Sequence, residues 1–182
     1  MPLAVRSESC ALVKAEAFVG QDRAIHGKTI LGLRAEPRAF HWAVVTGTLE
    51  SPVLEGSGTE TAPHAYSEAE SLAWTRQKVG HIIDTYQPTT VAVRYPERIA
   101  RGANKDSAKS RCRIEGVLVE VSSTKNRTVV TGELNTFGKH SGSKCPKDDL
   151  ASEDLRGLDW SEHKDKASRE AILVAASLLP SE

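Results

Sequence analysis

Basic side chains are concentrated in one stretch of this sequence, from Arg94 to Arg113. Seven basic residues stand there against only Glu97 and Asp106, so the stretch has a formal charge of +5. Such a cluster can neutralise several phosphates of a nucleic acid without reading its bases, although runs of charge are more often solvated surface. The whole chain has 24 basic and 24 acidic residues, so only this local clustering indicates a nucleic-acid partner. The basic residues are Arg94, Arg98, Arg101, Lys105, Lys109, Arg111 and Arg113.

Aromatic side chains are the second kind of residue that could contact nucleic acid, because every base has a face on which a ring can stack. Tyr95 is the best candidate, since it directly follows Arg94. Trp42 and Trp74 fall within a predicted strand and a predicted helix, which favours a place in the core. The four aromatic candidates are Trp42, Trp74, Tyr95 and Trp160.

The segment 133–163 carries histidines and aspartates of the kinds that bind divalent transition metals. These residues show no fixed ligand spacing, so a solvated acidic loop with a short helix near 148–155 is the favoured interpretation. The chain has three cysteines but no CxxC pair, which argues against a structural zinc site. The residues that a relocated metal site could draw on are Lys139, His140, Asp148, Asp149, Asp154, Asp159 and His163.

The apolar pattern places these residues on alternating strands and helices. Ser67 and Glu70 form a capping-box pair at the start of the clearest helix, 68–86. Three short strands precede it and two more alternate with later helices, which predicts an α/β domain whose mixed five-stranded sheet is a three-strand meander followed by α/β crossovers. We expect an arm or extension over 1–28 and one domain over 29–182. The predicted strands are 29–33, 40–45, 52–59, 89–93 and 127–132, and the further helices are 105–121 and 165–179.

The sequence also bears on location. Its first residues lack the apolar run of a secretory signal, and no window approaches the roughly 20 apolar residues of a membrane span. Scattered cysteines, odd in number, favour a reducing compartment. We therefore expect a cytoplasmic protein with no membrane partner.

Several short segments resemble one family in order and spacing. Ile30–Pro37 resembles the first strand of RuvC-type Holliday-junction resolvases, where an apolar run containing Gly leads into an Asp-Pro-Gly turn. Trp42–Val45 is similar to the start of that family's second strand, and Val91–Arg94 to its fourth, which normally ends in a catalytic Glu. Arg113–Val117 and Ser168–Ala176 resemble the two helices that follow. The resemblance implies an RNase H-like fold, and the chain is similar to small bacterial members of that superfamily.

The resemblance also shows where this chain differs. The family places carboxylates at the ends of strands one and four and near the start of the last helix, where they hold two divalent ions that activate a water. Here Arg34 and Arg94 stand at the two strand ends, and only Glu170 retains a carboxylate, with Asp165 shortly before it. A guanidinium has no lone pair to offer a metal and stays protonated. We therefore expect the usual two-metal site to be absent and no cofactor to be bound.

Our first hypothesis is a non-catalytic module that holds the backbone of DNA or RNA, alone or within a larger complex. Arg34 and Arg94 would then add a phosphate pocket to the basic stretch. The competing interpretation of these two arginines is a structural salt-bridge network with Glu36, Glu97 and Glu170 as counter-ions.

Two alternatives belong to other functional classes. One is a Mg²⁺- or Mn²⁺-dependent nuclease whose rearranged site is built from Glu36, Glu97, Asp165 and Glu170, which would have to converge within metal-bridging distance. The other is a protein–protein scaffold that retains only the fold and binds a protein partner or a second copy of itself. Fold alone does not decide among these functions.

Overall fold

The sheet has five strands in the order β3-β2-β1-β4-β5. The computed structural model describes residues 28–97 and 105–182. The expected arm over 1–28, apart from Lys28, lies outside the described residues, as do Arg98 and Arg101. The strands of the sheet are β1 (Ile30–Ala35), β2 (Ala39–Gly47), β3 (Pro52–Thr61), β4 (Thr90–Arg94) and β5 (Thr128–Gly132). The helices that accompany them are α1 (Glu68–Tyr86), α2 (Lys105–Thr124), α3 (Leu134–His140), α4 (Pro146–Ala151) and α5 (Lys166–Ala176).

The order and direction of the strands confirm the predicted meander and crossovers. β2 pairs antiparallel with both β1 and β3. β4 pairs parallel with β1, and β5 pairs parallel with β4. The carboxyl ends of β1, β4 and β5 therefore meet at one edge of the sheet, which we call the carboxyl edge. At this edge Arg34 lies in register between Arg94 and His41.

Side chains alternate between the two faces of a strand, so the apolar strands of this sheet present apolar side chains on both faces. Helices cover each face. Leu31 and Leu33 of β1 pack with α1 and α2, while Ile30 packs with α5. Arg34 follows Ile30 and Gly32 at spacings of two, so its side chain emerges on the α5 face.

Close packing brings α5 directly onto β1. A methyl group at Gly32 would lie 2.0 Å from the Ala171 carbonyl oxygen, so only glycine allows this approach. The helix begins with Asp165 as its N-cap, which accepts a hydrogen bond from the Ser168 amide. Glu170 is consequently fixed next to the end of β1.

The segment 133–163 is more ordered than the sequence indicated. It forms α3, α4 and a hairpin of β6 (Asp154–Leu155) and β7 (Leu158–Asp159), and its helix lies at Pro146–Ala151 rather than at 148–155. Its apolar side chains, among them Phe137, Leu150 and Trp160, are buried against α5. The interpretation as a solvated loop was wrong because these apolar residues are too widely spaced to show a period.

Element ends differ modestly from the predicted ones. α2 continues to Thr124 and α5 ends at Ala176, whereas α1 and its capping box of Ser67 and Glu70 agree with the sequence. β3 also continues past the predicted limit to Thr61, since it pairs with β2 along its length. Within residues 28–97 and 105–182, no helix combines the length and the apolar character that crossing a bilayer requires.

Candidate functional site at the carboxyl edge of the sheet

Two arginines share one carboxylate at the carboxyl edge. Arg34 Nε donates to Glu170 Oε2 at 2.6 Å, and Arg94 Nε lies 3.2 Å from the same oxygen. Arg34 also donates through Nη1 to the carbonyl of Ala35. Arg94 and Glu170 are only 6% and 4% exposed. The two arginines that the resemblance placed at strand ends therefore lie side by side, and α5 supplies their counter-ion.

Further charges extend this pair into a larger cluster. Arg94 Nη2 lies 3.9 Å from Glu97 Oε1, and Arg111 Nε lies 3.4 Å from Glu115 Oε1, one turn along α2. We call the whole set the Arg–Glu network, and its formal charges balance. Its members are Arg34, Arg94, Arg111, Glu97, Glu115 and Glu170.

Burial dominates the electrostatics of the network. Burial lowers the pKa of Arg94 from its ordinary value, and the charge of Glu170 opposes this while that of Arg34 adds to it. Burial also raises the pKa of Glu115, against the attraction of Arg111, Arg34 and Arg94. The charged forms of these side chains are thus stabilised by one another rather than by water.

His41 anchors a second group beside Arg34. Its Nδ1 lies 2.9 Å from Thr59 Oγ1, 3.1 Å from Ser168 Oγ and 3.3 Å from Asp165 Oδ2. Its Nε2 lies 3.6 Å from Glu36 Oε2. Glu36 is thus a neighbour of His41. The prediction that Glu36 is a counter-ion of Arg34 and Arg94 is therefore wrong.

Asp165 has a structural role in this second group. Burial would raise the pKa of Asp165, but hydrogen bonds from the amides of Ala167 and Ser168, together with His41, leave it below its ordinary value. In the sequence, His41 is one of several scattered histidines and does not stand out. The signal that could have found it is its place at the start of the second meander strand, opposite the end of the first.

The donor set does not fit a pair of divalent ions. The four carboxylates proposed for a rearranged site fall into two groups, Glu97 and Glu170 on Arg94, and Glu36 and Asp165 on His41. Among the residues that the structure describes, no three His, Cys, Asp or Glu side chains are grouped so as to hold a metal ion, in the 133–163 segment or elsewhere. The positions nearest the strand ends are guanidinium groups, which cannot be ligands.

The described residues of the basic stretch, 94–97 and 105–113, do not form one continuous basic surface. Arg94 and Arg111 belong to the Arg–Glu network, Arg113 pairs with Glu68, and Lys109 Nζ lies 3.7 Å from Asp106. Lys105 and Lys109 are exposed at the first turns of α2. The idea that all seven side chains contact a backbone is wrong for the buried Arg94.

Two lysines that sequence reasoning did not select lie at the same edge. Lys164 and Lys166 flank Asp165 at the start of α5, and both are exposed. Their signal in the sequence was a pair of basic residues around an N-cap Asp. With Lys105 and Lys109 they form what we call the lysine rim of the carboxyl edge.

A cavity of about 860 Å³ opens beside the network, over the carboxyl ends of β4 and β5. Tyr95 lines it and is held in place by its backbone amide, which donates to the Gly132 carbonyl at 2.7 Å. Trp160, by contrast, is fully buried, and Arg169 lies over its ring. The prediction that Trp160 could stack on a base is therefore wrong. The polar residues that line the cavity include Glu97, Arg111, Glu115, Thr131, Glu133 and Thr136.

Comparison with solved structures identifies the architecture. RuvC of Thermus thermophilus in complex with a Holliday junction superposes with a TM-score of 0.66 at 12% identity, over 82% of this chain and 91% of that one. Another structure of T. thermophilus RuvC gives a TM-score of 0.65 at 14% identity, over 82% and 92%. The chain has the RNase H-like fold of RuvC.

A second solved protein shares this RuvC-like fold. The yeast mitochondrial Holliday junction resolvase Ydc2 superposes with a TM-score of 0.57 at 8% identity, over 83% of this chain and 78% of that one. No family model matches the sequence, and the search of curated proteins found no match. At these identities the likeness establishes the fold, while function has to be argued from the site.

Proposed function

We propose that this chain is a non-catalytic RNase H-like module that binds the sugar–phosphate backbone of a nucleic acid across its carboxyl edge. The observation that carries the proposal is the pair of arginines, the partly buried Arg34 and the buried Arg94, sharing Glu170 at the ends of β1 and β4. At the strand ends, guanidinium groups paired with carboxylates stand where a metal site would need free oxygen ligands.

The lysine rim supplies the contacts with phosphate. Lys105 and Lys109 on α2, with Lys164 and Lys166 on α5, are exposed on both sides of the buried arginines. Both helices point their N-termini toward this edge, and the positive end of a helix dipole favours an anion there. The arginines act as support, since their guanidinium groups are already paired with Glu170 and Glu97.

The fold supports a nucleic-acid ligand by analogy. The T. thermophilus RuvC that this chain resembles was solved in complex with a Holliday junction. We propose the absence of cleavage because Arg34 and Arg94 stand where a nuclease of that fold would need metal ligands.

Binding of DNA and RNA at two salt concentrations tests the proposal. Duplex, single-stranded and branched probes, followed by fluorescence anisotropy, should bind with an affinity that falls steeply between 50 and 200 mM salt, with little dependence on sequence. Lys105→Ala/Lys109→Ala should weaken binding by about tenfold and reduce the salt slope by about 0.9 for each phosphate that the variant no longer neutralises. Lys164→Ala/Lys166→Ala should behave similarly.

The matched control is Lys28→Ala/Lys139→Ala, which removes two exposed charges near the opposite end of the sheet, where Lys28 and His140 lie near the first residues of β4 and β5. Equal losses of nucleic-acid affinity in the control and the rim variants would contradict the assignment of the carboxyl edge as the binding surface. Cleavage of any probe with Mg²⁺ or Mn²⁺ that disappears in Glu170→Ala would overturn the non-catalytic part. No binding at 50 mM salt would leave the scaffold as the better explanation.

A further inference from the structure

The ring of His41 lies between two carboxylates at the carboxyl edge. It is only 5% exposed, and its Nε2 is buried without a hydrogen-bond partner among the described residues, 3.6 Å from Glu36 Oε2. On the other side of the ring, Nδ1 lies 3.3 Å from Asp165 Oδ2. Each nitrogen of the ring therefore has a carboxylate oxygen beside it.

A neutral imidazole cannot satisfy this arrangement, because it has one N–H and one bare nitrogen. With its proton on Nδ1, the ring turns the lone pair of Nε2 toward Glu36. With its proton on Nε2, Nδ1 can accept from the hydroxyl of Thr59 or Ser168, but its lone pair also faces Asp165. Only the imidazolium presents an N–H to both carboxylates, so the geometry is matched to the protonated ring.

Every element packed around His41 contributes a polar or charged group. Arg34 of β1 is in register with His41 and belongs to the Arg–Glu network, whose formal charges balance. β3 contributes the uncharged hydroxyl of Thr59. The ring with its two carboxylates therefore has a formal charge of −2 when it is neutral and −1 when it is protonated. The charged groups around the ring are Arg34, Glu36, Lys164, Asp165, Lys166 and Glu170.

We propose that His41 forms a pH-dependent link between the start of α5 and the turn after β1, and that its second proton, taken up from water, strengthens nucleic-acid binding at the carboxyl edge. Imidazole is the side chain whose charge ordinarily changes between about pH 5 and 8. Protonation lowers the negative charge beside Lys164 and Lys166 by one unit, which favours a polyanion bound to these lysines. The effect on nucleic acid rests on the proposed function, whereas the link itself rests on the contacts of His41.

The affinity for nucleic acid at different pH values tests the coupling. At fixed salt, fluorescence anisotropy with a short DNA duplex should show an affinity that rises by about fivefold between about pH 8 and 5.5, at the lower end of couplings between two sites. His41→Gln should remove most of this rise. His81→Gln, the same change on an exposed side chain of α1, is the control and should leave the rise unchanged.

Glu36→Gln is a second variant that leaves the buried ring in place. The Glu36 side chain is 44% exposed, so the fold tolerates its replacement. The imidazolium then has one carboxylate beside it instead of two, and an opposite charge favours the charged form of a side chain. The rise in affinity should therefore move to lower pH in Glu36→Gln.

NMR of the His41 ring separates the link from the proposed function. In the free chain, the ring resonances should titrate at lower pH in Glu36→Gln than in the original chain, and added duplex should move the titration of the original chain to higher pH, because the coupling is reciprocal. The same titration in both chains would overturn the link, even where duplex binds. A rise in affinity that survives in His41→Gln, or that disappears in His81→Gln, would overturn the coupling. A ring that titrates as expected in a chain that binds no duplex at any pH would overturn the proposed function and the coupling with it, and would leave the link standing.

Discussion

At the scale of single residues, this protein shows how two arginines can occupy a buried edge. A buried cation is tolerated only when paired, and Glu170 contacts Arg34 and Arg94 at once. A carboxylate can also bind a divalent ion, but the groups beside Glu170 are guanidiniums, which have no lone pair to offer a metal. Its role is set by what stands beside it, which makes the arginines the residues that decide the chemistry of the edge.

Replacing Glu115 or Glu170 by the neutral glutamine should change the stability of the fold in opposite directions, because the surroundings of the two carboxylates differ. Burial raises the pKa of Glu115, so the folded chain holds this proton more tightly than the unfolded chain. The free energy of unfolding therefore falls as pH rises from the ordinary pKa through the raised one. Glu115→Gln should melt at a higher temperature than the original chain at pH 7 to 8, and this gain should vanish below about pH 4.

Glu170→Gln is the companion variant and should lose stability at neutral pH. It leaves two guanidinium groups without their shared counter-ion, and removing one partner of a buried pair costs about 3–5 kcal/mol. Thermal melts across pH 4–8 for both variants measure the comparison. A stabilised Glu170→Gln would show that the ion pairs with Arg34 and Arg94 are not needed to hold the edge.

At the scale of elements, one contact positions the site. α5 can place Glu170 over the arginines only because Gly32 lets the helix lie against β1. Since β1, β4 and β5 are parallel, their last residues come to the same edge, and α2 adds Arg111 and Glu115 from the other side of β4. The network is thus assembled from residues far apart in the chain.

Gly32→Ala should be destabilising for this reason. The added methyl would meet the Ala171 carbonyl at 2.0 Å, so α5 must move away from β1, at a cost of about 1–3 kcal/mol. Gly116→Ala is the matched control, since nothing lies within 4 Å of its added methyl and alanine favours the helix by about 1 kcal/mol. Urea unfolding of both variants measures the difference, and equal stabilities would contradict the close approach of α5.

At the scale of the whole molecule, the RuvC-like fold carries a charge pattern unsuited to divalent ions. At the carboxyl edge, Arg34 and the buried Arg94 are paired with glutamates, so the positive charge exposed to solvent there belongs to the lysine rim. Such a rim repels a dication and attracts a polyanion. The proposed preference for a polyanion depends on the distribution of charge, because the formal charge of the whole chain is zero.

Divalent ions should therefore leave the stability of the folded chain unchanged. A ligand that binds only the native state raises its free energy of unfolding by RT ln(1 + [L]/Kd). Melting temperatures with about 5 mM Mg²⁺, Mn²⁺ or EDTA should agree within about 1 °C, whereas a nucleic-acid probe should raise the melting temperature at low salt. A rise with Mg²⁺ that Glu170→Ala removes would restore the nuclease alternative.

Local pattern determined most of the architecture. Helical spacing and the capping box of Ser67 and Glu70 predicted α1, and the order of apolar runs predicted the meander and the crossovers. The resemblance to RuvC-type resolvases placed Arg34 and Arg94 at the ends of two strands, and the register shows that these strands are neighbours. These features follow from sequence because periodicity and capping depend on residues close together in the chain.

Tertiary structure decided the partners of the charged groups. The sequence offered Glu36, Glu97 and Glu170 as counter-ions without choosing Glu170 as the partner of Arg34. It did not link His41 to Ser168, and no charge count separates the paired Arg113 from the exposed Lys105. The fold of 133–163 was also not predicted, because the apolar residues that it buries show no helical or strand period in the sequence. Ion pairs and burial depend on which distant elements meet, and that is fixed only when the strands are ordered and the helices are packed on them.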